Sequence, residues 1–127
     1  MSKTIEEGLQ AYLSGELDAP LYPVVFPDNV VFPACRYQRI TGSPIVTHDG
    51  NSGEESARFQ VSCFAKTYAE AKGLAGEVKA ALSGYSGPMG ELSDVTAFVI
   101  NETDLYEPEM KLHHVAVDVQ ITANIGE

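Results

Sequence analysis

A strand that runs straight into a helix constrains this chain more than any other feature. From Glu55 the sequence reads ESARFQVSCFAKTYAEAKGLAGEVKAALS. Ala57, Phe59, Val61, Cys63 and Ala65 alternate with Arg58, Gln60, Ser62 and Lys66, the two-residue period of a strand with one buried face. Only Phe64 breaks the alternation. Thr67 and Glu70 then have the spacing of a capping box, in which hydroxyl and carboxylate each satisfy a backbone N–H left free at a helix start. Tyr68, Ala71, Leu74, Ala75, Val78, Ala81 and Leu82 follow at three- and four-residue steps, one apolar face of a helix that stops at Ser83-Gly84. A half-buried strand with a helix lying back on it is the scaffold of a small α+β domain.

The rest of the chain extends that scaffold. Thr4–Ser14 predicts a first helix, with Thr4 and Glu7 at capping-box spacing and Ile5, Leu9, Tyr12 and Leu13 as its apolar stripe. Leu21–Pro33 (LYPVVFPDNVVFP) carries three prolines, and proline cannot donate to a sheet ladder, so an edge strand or an extended strap is expected there. Ala34–Ser43 reads as a strand pairing with Ser56–Lys66 through Ile45–Glu55, a polar, glycine-bearing connection expected to be mobile until it meets a partner. Gly84–Gly90 (GYSGPMG) reads as a loop. Leu92–Glu102 is expected as a central strand, Thr103–Lys111 as the return, and Leu112–Ile125 as the last strand. In that strand Val115, Val117, Val119 and Ile121 face the core, and Ala116, Asp118, Gln120 and Thr122 face outward. The expected architecture is one α+β domain over residues 1–127, an antiparallel sheet of about four main strands with two helices packed on one face.

Charge narrows the function classes. The formal net charge is −10, and the eight acidic groups of residues 91–127 face the single Lys111, which leaves −7 there. Phosphate binding relies on lysine and arginine displacing counterions, so this balance argues against a nucleic-acid binder. An acidic surface lets DNA pass without sticking; plain solubility is the simpler reading. No apolar run approaches the ~20 residues that span a bilayer, and Met1–Leu13 has no charged-then-apolar signal pattern. A cytosolic chain is expected, with Cys35 and Cys63 as small core hydrophobes in a reducing compartment.

No constellation carries chemistry. His113 and His114 are adjacent in a strand, so their rings diverge and cannot chelate together without a third ligand. His48 with Asp49, Glu54 and Glu55 could hold a cation on the connection, but the spacing is not that of a calcium loop. A Cys–His nucleophile from Cys35 or Cys63 is opposed by burial, which raises a thiol pKa. Gly84, Gly87 and Gly90 lack the Lys-Ser/Thr of a phosphate-binding loop. No catalytic residue, cofactor or metal is therefore expected. Arg36, Gln38, Arg58, Gln60, Asp118 and Gln120 do fall on outward positions of three strands, a polar face poor in lysine. Arginine and glutamine suit a surface that later becomes a contact, whereas a plain solvated face is the alternative.

The Tyr22-Pro23, Pro27 and Pro33-Ala34 strap, followed by Tyr37-Gln38-Arg39-Ile40-Thr41-Gly42-Ser43, resembles the start of phage tail-completion proteins. These are the small tail-terminator (tail-to-head joining) proteins of long-tailed phages. Arg58-Phe59-Gln60-Val61, Lys66-Thr67-Tyr68-Ala69-Glu70-Ala71, the helix end Ala81-Leu82 and the acidic stretch from Asn101 to Pro108 continue the resemblance. So do Val115, Val117 and Asp118. Cys35 and Cys63 depart from it, standing where larger apolar residues are usual. The resemblance implies a non-enzymatic assembly protein that caps the tail tube as a six-fold homomeric ring and offers a docking surface to the head connector. It implies three partners: further copies of itself, the tail-tube protein and the head-completion or connector protein. DNA would pass through without specific binding and no membrane would be involved. Location would be the host cytoplasm during assembly, then the head-proximal end of the tail in the virion. Expected subunit or partner contacts are Arg36, Gln38, Asp49, Glu54, Glu55, Arg58, Gln60 and Asp118. A small metal- or thiol-dependent enzyme and a generic cytosolic adaptor of the same fold class are the competing readings.

Overall fold

The computed structural model describes residues 4–47 and 50–124, with 41–47 and 50–54 described by backbone alone. Helix α1 spans Ile5–Leu13 and starts on the expected capping box. The Glu7 N–H donates to Thr4 Oγ1 at 3.0 Å, and the Thr4 N–H donates to Glu7 Oε1 at 3.2 Å. Helix α2 spans Tyr68–Leu82 with Thr67 as its N-cap. There the box is half made. Thr67 Oγ1 accepts the Glu70 N–H at 3.2 Å, but its hydroxyl then donates to the Glu70 carboxylate at 3.3 Å, and that carboxylate does not return to the backbone.

Six strands form one sheet: β1 (Leu21–Pro23), β2 (Ala34–Thr47), β3 (Gly50–Ala65), β4 (Tyr85–Met89), β5 (Leu92–Glu107) and β6 (Leu112–Asn124). Their spatial order is β1-β2-β3-β6-β5-β4. Strand β1 pairs with β2 in parallel and every other pairing is antiparallel. The expected α+β arrangement, an antiparallel sheet of about four main strands with two helices packed on one face, is thus corrected to a six-stranded, mixed and curled sheet. Two short edge strands make the difference. Proline-rich residues 21–23 add to β2 in parallel, with the Cys35 N–H donating to Pro20 O and the Val24 N–H to Tyr37 O, each at 2.8 Å. Residues 85–89, rich in turn formers, pair with β5 with a register shift between Gly87 and Met89. An edge strand tolerates proline and a bulge because only one of its sides carries a ladder.

Two boundaries also move. The connection expected over residues 45–55 is largely strand, since β2 runs to Thr47 and β3 begins at Gly50. The cation-binding reading of His48 and Asp49, and the mobility expected of this tip, lie outside the described residues. Strand β5 continues to Glu107 and turns through residues 108–111, with Lys111 at φ 58°.

The main core lies between the sheet and both helices. Ala57, Phe59, Val61, Cys63 and Ala65 of β3 and Val115, Val117, Val119 and Ile121 of β6 are buried there. Ile5, Leu9 and Leu13 of α1, and Ala71, Leu74, Ala75, Val78 and Leu82 of α2, complete it. The helices are tied to each other by the Tyr12 hydroxyl, which donates to Ala81 O at 2.9 Å. Arg39 of β2 ties α1 to the sheet, its Nε donating to Glu6 Oε2 at 2.8 Å. Helix α1 crosses β4 closely: a Cβ on Gly8 would stand 2.7 Å from Met89 O.

Candidate functional site

The opposite face of the sheet is the second structured surface, and it is built in two halves. At one end the strap of residues 24–33 folds over it. Phe64, the residue that breaks the alternation of β3, points to this side and packs edge-on against Phe26 at 5.2 Å between ring centroids. Phe32 lies 5.3 Å from Phe26, and the His114 ring stacks on Phe64 at 4.1 Å. The Arg36 guanidinium sits 5.0 Å from the Phe64 centroid and 5.4 Å from that of Phe26, a cation–π arrangement. Ala34, Leu112 and Ala116 are buried beneath the same cover. The ladder explains this grouping, because Ala34 pairs with Phe64, Phe64 with His114, and Ser62 with Ala116.

Toward the other end the same face is polar. Arg58 Nη2 donates to Asp118 Oδ2 at 2.7 Å, and Gln60 Nε2 donates to Asp118 Oδ1 at 3.3 Å. Gln120 Nε2 donates to Ser56 Oγ at 2.6 Å, and Ser56 Oγ lies 3.1 Å from Thr122 Oγ1. Gln60–Asp118 and Ser56–Thr122 join directly opposed residues, whereas Arg58–Asp118 and Gln120–Ser56 are diagonal, because Arg58 stands opposite Gln120. Two buried nitrogens of the face, Arg58 Nε and His114 Nε2, have no hydrogen-bond partner among the described residues. Burial pushes the His114 pKa down from its ordinary value, against the pull of Glu107, whose Oε2 lies 3.1 Å from Nδ1.

The contact residues expected from sequence divide on this frame. Arg36, Gln38, Arg58, Gln60 and Asp118 share the face: Gln38 stands opposite Gln60 and is exposed, whereas Asp118 is buried. Arg36 and Arg58 are engaged within the chain, on aromatic rings and on Asp118. Glu55 belongs to the other side, where Arg39 Nη1 donates to its Oε2 at 2.9 Å. Asp49 and the side chain of Glu54 lie outside the described residues. Sequence reasoning missed Phe26, Phe32, Phe64 and His114 as one cluster. The signal was the broken alternation at Phe64 together with Leu112, His114 and Ala116 on even positions of β6. Asp118, Ala116 and His114, taken as outward or surface groups, are buried by the strap and by their neighbours on this face.

The groups considered for chemistry are held apart. Cys35 and Cys63 are cross-strand partners, fully buried and unbridged. The Cys63 thiol pKa is pushed far up, by the hydrogen bond with Cys35 first and by burial second. His114 lies across the sheet from Cys63. His113 points to the helix side, its ring 5.0 Å from that of Tyr106 and 5.8 Å from that of Tyr68. Among the described residues no group of three His, Cys, Asp or Glu side chains is placed to hold a metal ion. No helix among them is long and apolar enough to cross a membrane.

Residues 7–123 match the family model described as Tail completion protein gp17. No curated protein sequence matches the chain. A chain from the virion of a native gene transfer agent particle has a similar fold, with a TM-score of 0.68 at 15% identity, over 89% of this chain and 84% of that one. A second solved structure aligns with a TM-score of 0.64 at 14% identity, over 95% of this chain and 96% of that one. Identities this low carry likeness of fold alone. The family match runs from α1 to the end of β6, so the chain belongs to the Tail completion protein gp17 family.

Proposed function

We propose that this chain completes a phage tail by capping the tail tube as a homomeric ring, six-fold in the reading its sequence resemblance implies, onto which the head connector docks. The match of residues 7–123 to a tail-completion family carries the reading, and at that coarser level the chain is a structural component of tail assembly. The acidic balance suits a lumen through which DNA passes without adhering. The face bearing Gln38, Arg58, Gln60 and Asp118 is the surface offered to the tube protein or the connector. It is polar, poor in lysine, and presents the exposed Gln38 and the partly exposed Arg58 side chain to solvent, residue types that suit a surface that becomes a contact. Arg36, Asp49 and Glu54 belong to the same proposal, as flanking contacts. Glu55, turned to the helix side, drops to a supporting role through Arg39. The protein would assemble in the host cytoplasm and remain in the virion at the head-proximal end of the tail.

Complementation read by electron microscopy tests this. Cells lacking the chain are expected to accumulate overlong or unjoined tails beside DNA-filled heads. Tails of normal length already joined to heads in those cells would overturn the function. The face has its own probe. Arg58→Glu sets a carboxylate against the buried Asp118, so it tests the monomer's stability as much as its contacts. The exposed Gln38 is cleaner: Gln38→Glu should leave folding intact and reduce joining by unfavourable contact charge. Normal joining by that variant would remove the face assignment alone.

A further inference from the structure

The two lateral edges of the sheet are stepped, and the steps are complementary. Leu21, Cys35, Cys63, Val115 and Asp104 form one row across β1, β2, β3, β6 and β5. At that height β1 covers β2, while β5 has no further partner among the described residues. Pro44, Glu55, Ala123, Val95 and Gly87 form a second row across β2, β3, β6, β5 and β4. At this height β4 covers β5, and β2 is uncovered. Each edge therefore projects where the other recedes, and a second copy placed beside the first meets it at the same height along the strands.

Apolar exposure follows the same plan. Among the described residues ten large apolar side chains are exposed, and nine of them belong to the β5 half with its turn, to the strap that continues from β1, or to β2. Phe98, Ile100, Leu105, Tyr106 and Met110 occupy the uncovered half of β5 and its turn. Val24, Val25, Val31 and Ile40 line the strap beside β1 and the adjoining part of β2. Tyr68 of α2 is the tenth. Concentration of this kind marks association surfaces on soluble chains. Strand β1 itself is a poor template for a ladder, because Leu21 O already accepts from Gln10 Nε2 at 3.2 Å and Pro23 has no N–H. The joint is thus one of side chains against the strap.

We infer that a second copy of this chain is the occupant: the uncovered half of β5, residues 98–107, seats against the strap of the neighbouring copy around Val24, Val25 and Val31. The inference rests on the ring reading above and names its contact. The joint is heterologous, one edge meeting the other, and a heterologous contact that rotates without rising closes into a ring instead of winding into a filament. Alignment of the two edges in one row is what removes the rise.

Paired cysteines on the full chain, assembled on tails, test it with a short bis-maleimide. Val25 is 67% exposed and Leu105 45%, whereas native Cys35 and Cys63 are fully buried and serve as the unreactive background. The double variant Val25→Cys/Leu105→Cys should link into a ladder that ends at a closed ring, with most of the chain shifted out of the monomer band. Either single variant should stay monomeric. Dimers from Leu105→Cys alone would show a two-fold joint and overturn the inference. Absence of a ladder from tails that carry the double variant in normal amount would also overturn it, with the ring reading left standing. Tails that lack the chain altogether would sink both.

Discussion

The two faces of the sheet are closed by different means. The helix side is sealed by α1 and α2, regular elements whose apolar stripes interlock with odd-numbered residues of β3 and β6. The strap side is covered at one end by an irregular segment that contributes rings, not a repeating stripe, and is left polar at the other. A helix laid on a strand is specified locally, by periodicity within ~15 residues. A strap is specified by partners far along the chain, as Phe26 and Phe64 are. The first face is therefore expected to supply most of the fold's stability, and the second, in the function proposed, is the surface offered to a partner. Substitutions on the two faces separate these roles.

The largest effect is expected on the helix side. Phe59 is fully buried at the centre of the sheet, and Phe59→Ala should destabilise the protein by about 3–5 kcal/mol, the transfer term plus an unfilled cavity. Leu74→Ala on the facing side of α2 should cost about 2–5 kcal/mol for the same reason. Denaturant unfolding followed by circular dichroism measures both. A loss below about 1 kcal/mol for Phe59→Ala would mean that the helix side is not the principal core. The next effect belongs to the strap side. Phe64 is as well covered as many core residues, but its cover is irregular chain that can settle into the space left behind. Phe64→Ala should cost about 2–3 kcal/mol, because the cost falls as a site collapses more readily. A larger loss than that of Phe59→Ala would erase the distinction between the faces.

The sequence makes one face far more legible than the other. The alternation of Ala57 to Ala65, the caps at Thr4 and Thr67 and the stripe from Ala71 to Leu82 are local signals, and each marks the element it predicts. Strand β4 is not readable as a strand, and β1 is readable only as an edge strand or strap somewhere within Leu21–Pro33. Their prolines and glycines are turn formers in isolation, and only the neighbouring strand gives residues 85–89 a ladder to join. The long β2–β3 hairpin was hidden similarly, since Gly50, Asn51, Ser52 and Gly53 have little β propensity of their own. Of the candidate site, the cross-strand group Arg58, Gln60 and Asp118 follows from parity alone once the strands are placed. The burial of His114 and Ala116 does not, because it depends on a strap some eighty residues earlier in the chain.

Acid should expose the strap side next. Burial lowers the His114 pKa below the ordinary ~6.5, so the folded chain holds this ring neutral at pH values where the unfolded chain has begun to protonate it. The unfolded state then binds more protons, and stability is complete above about pH 6.5 and declines as pH falls below it. The slope is at most about 1.4 kcal/mol per pH unit for one proton. Unfolding free energies at pH 7.5 and 5.5 should differ less in His114→Phe, which keeps a ring on Phe64 and cannot titrate. An unchanged difference would mean that His114 is protonated in the folded state.

The smallest effect is expected where the helix side itself turns polar. The register shift between Val99 and Asn101 changes which residues of β5 face α2, and beyond it Glu102 and Asp104 stand where apolar side chains would otherwise be. Glu102 accepts from Lys72 Nζ at 2.5 Å and from Lys79 Nζ at 2.8 Å. The hydrogen bond from Lys72 holds its carboxyl below the usual range, with that from Lys79 second. Lys72 and Lys79 are 34% and 40% exposed and Glu102 22%; water reaches both cations and screens the attraction, so Glu102→Gln should lower stability by no more than about 1 kcal/mol. The loss should shrink further when the measurement is repeated near 1 M salt, where the screening length is about 3 Å. A loss above 2 kcal/mol that persists in salt would show that this end of α2 is held by its carboxylate and not by Leu74 and Val78. The helix side would then rest on the same kind of polar cross-links as the strap side, and the contrast between the two faces would fail.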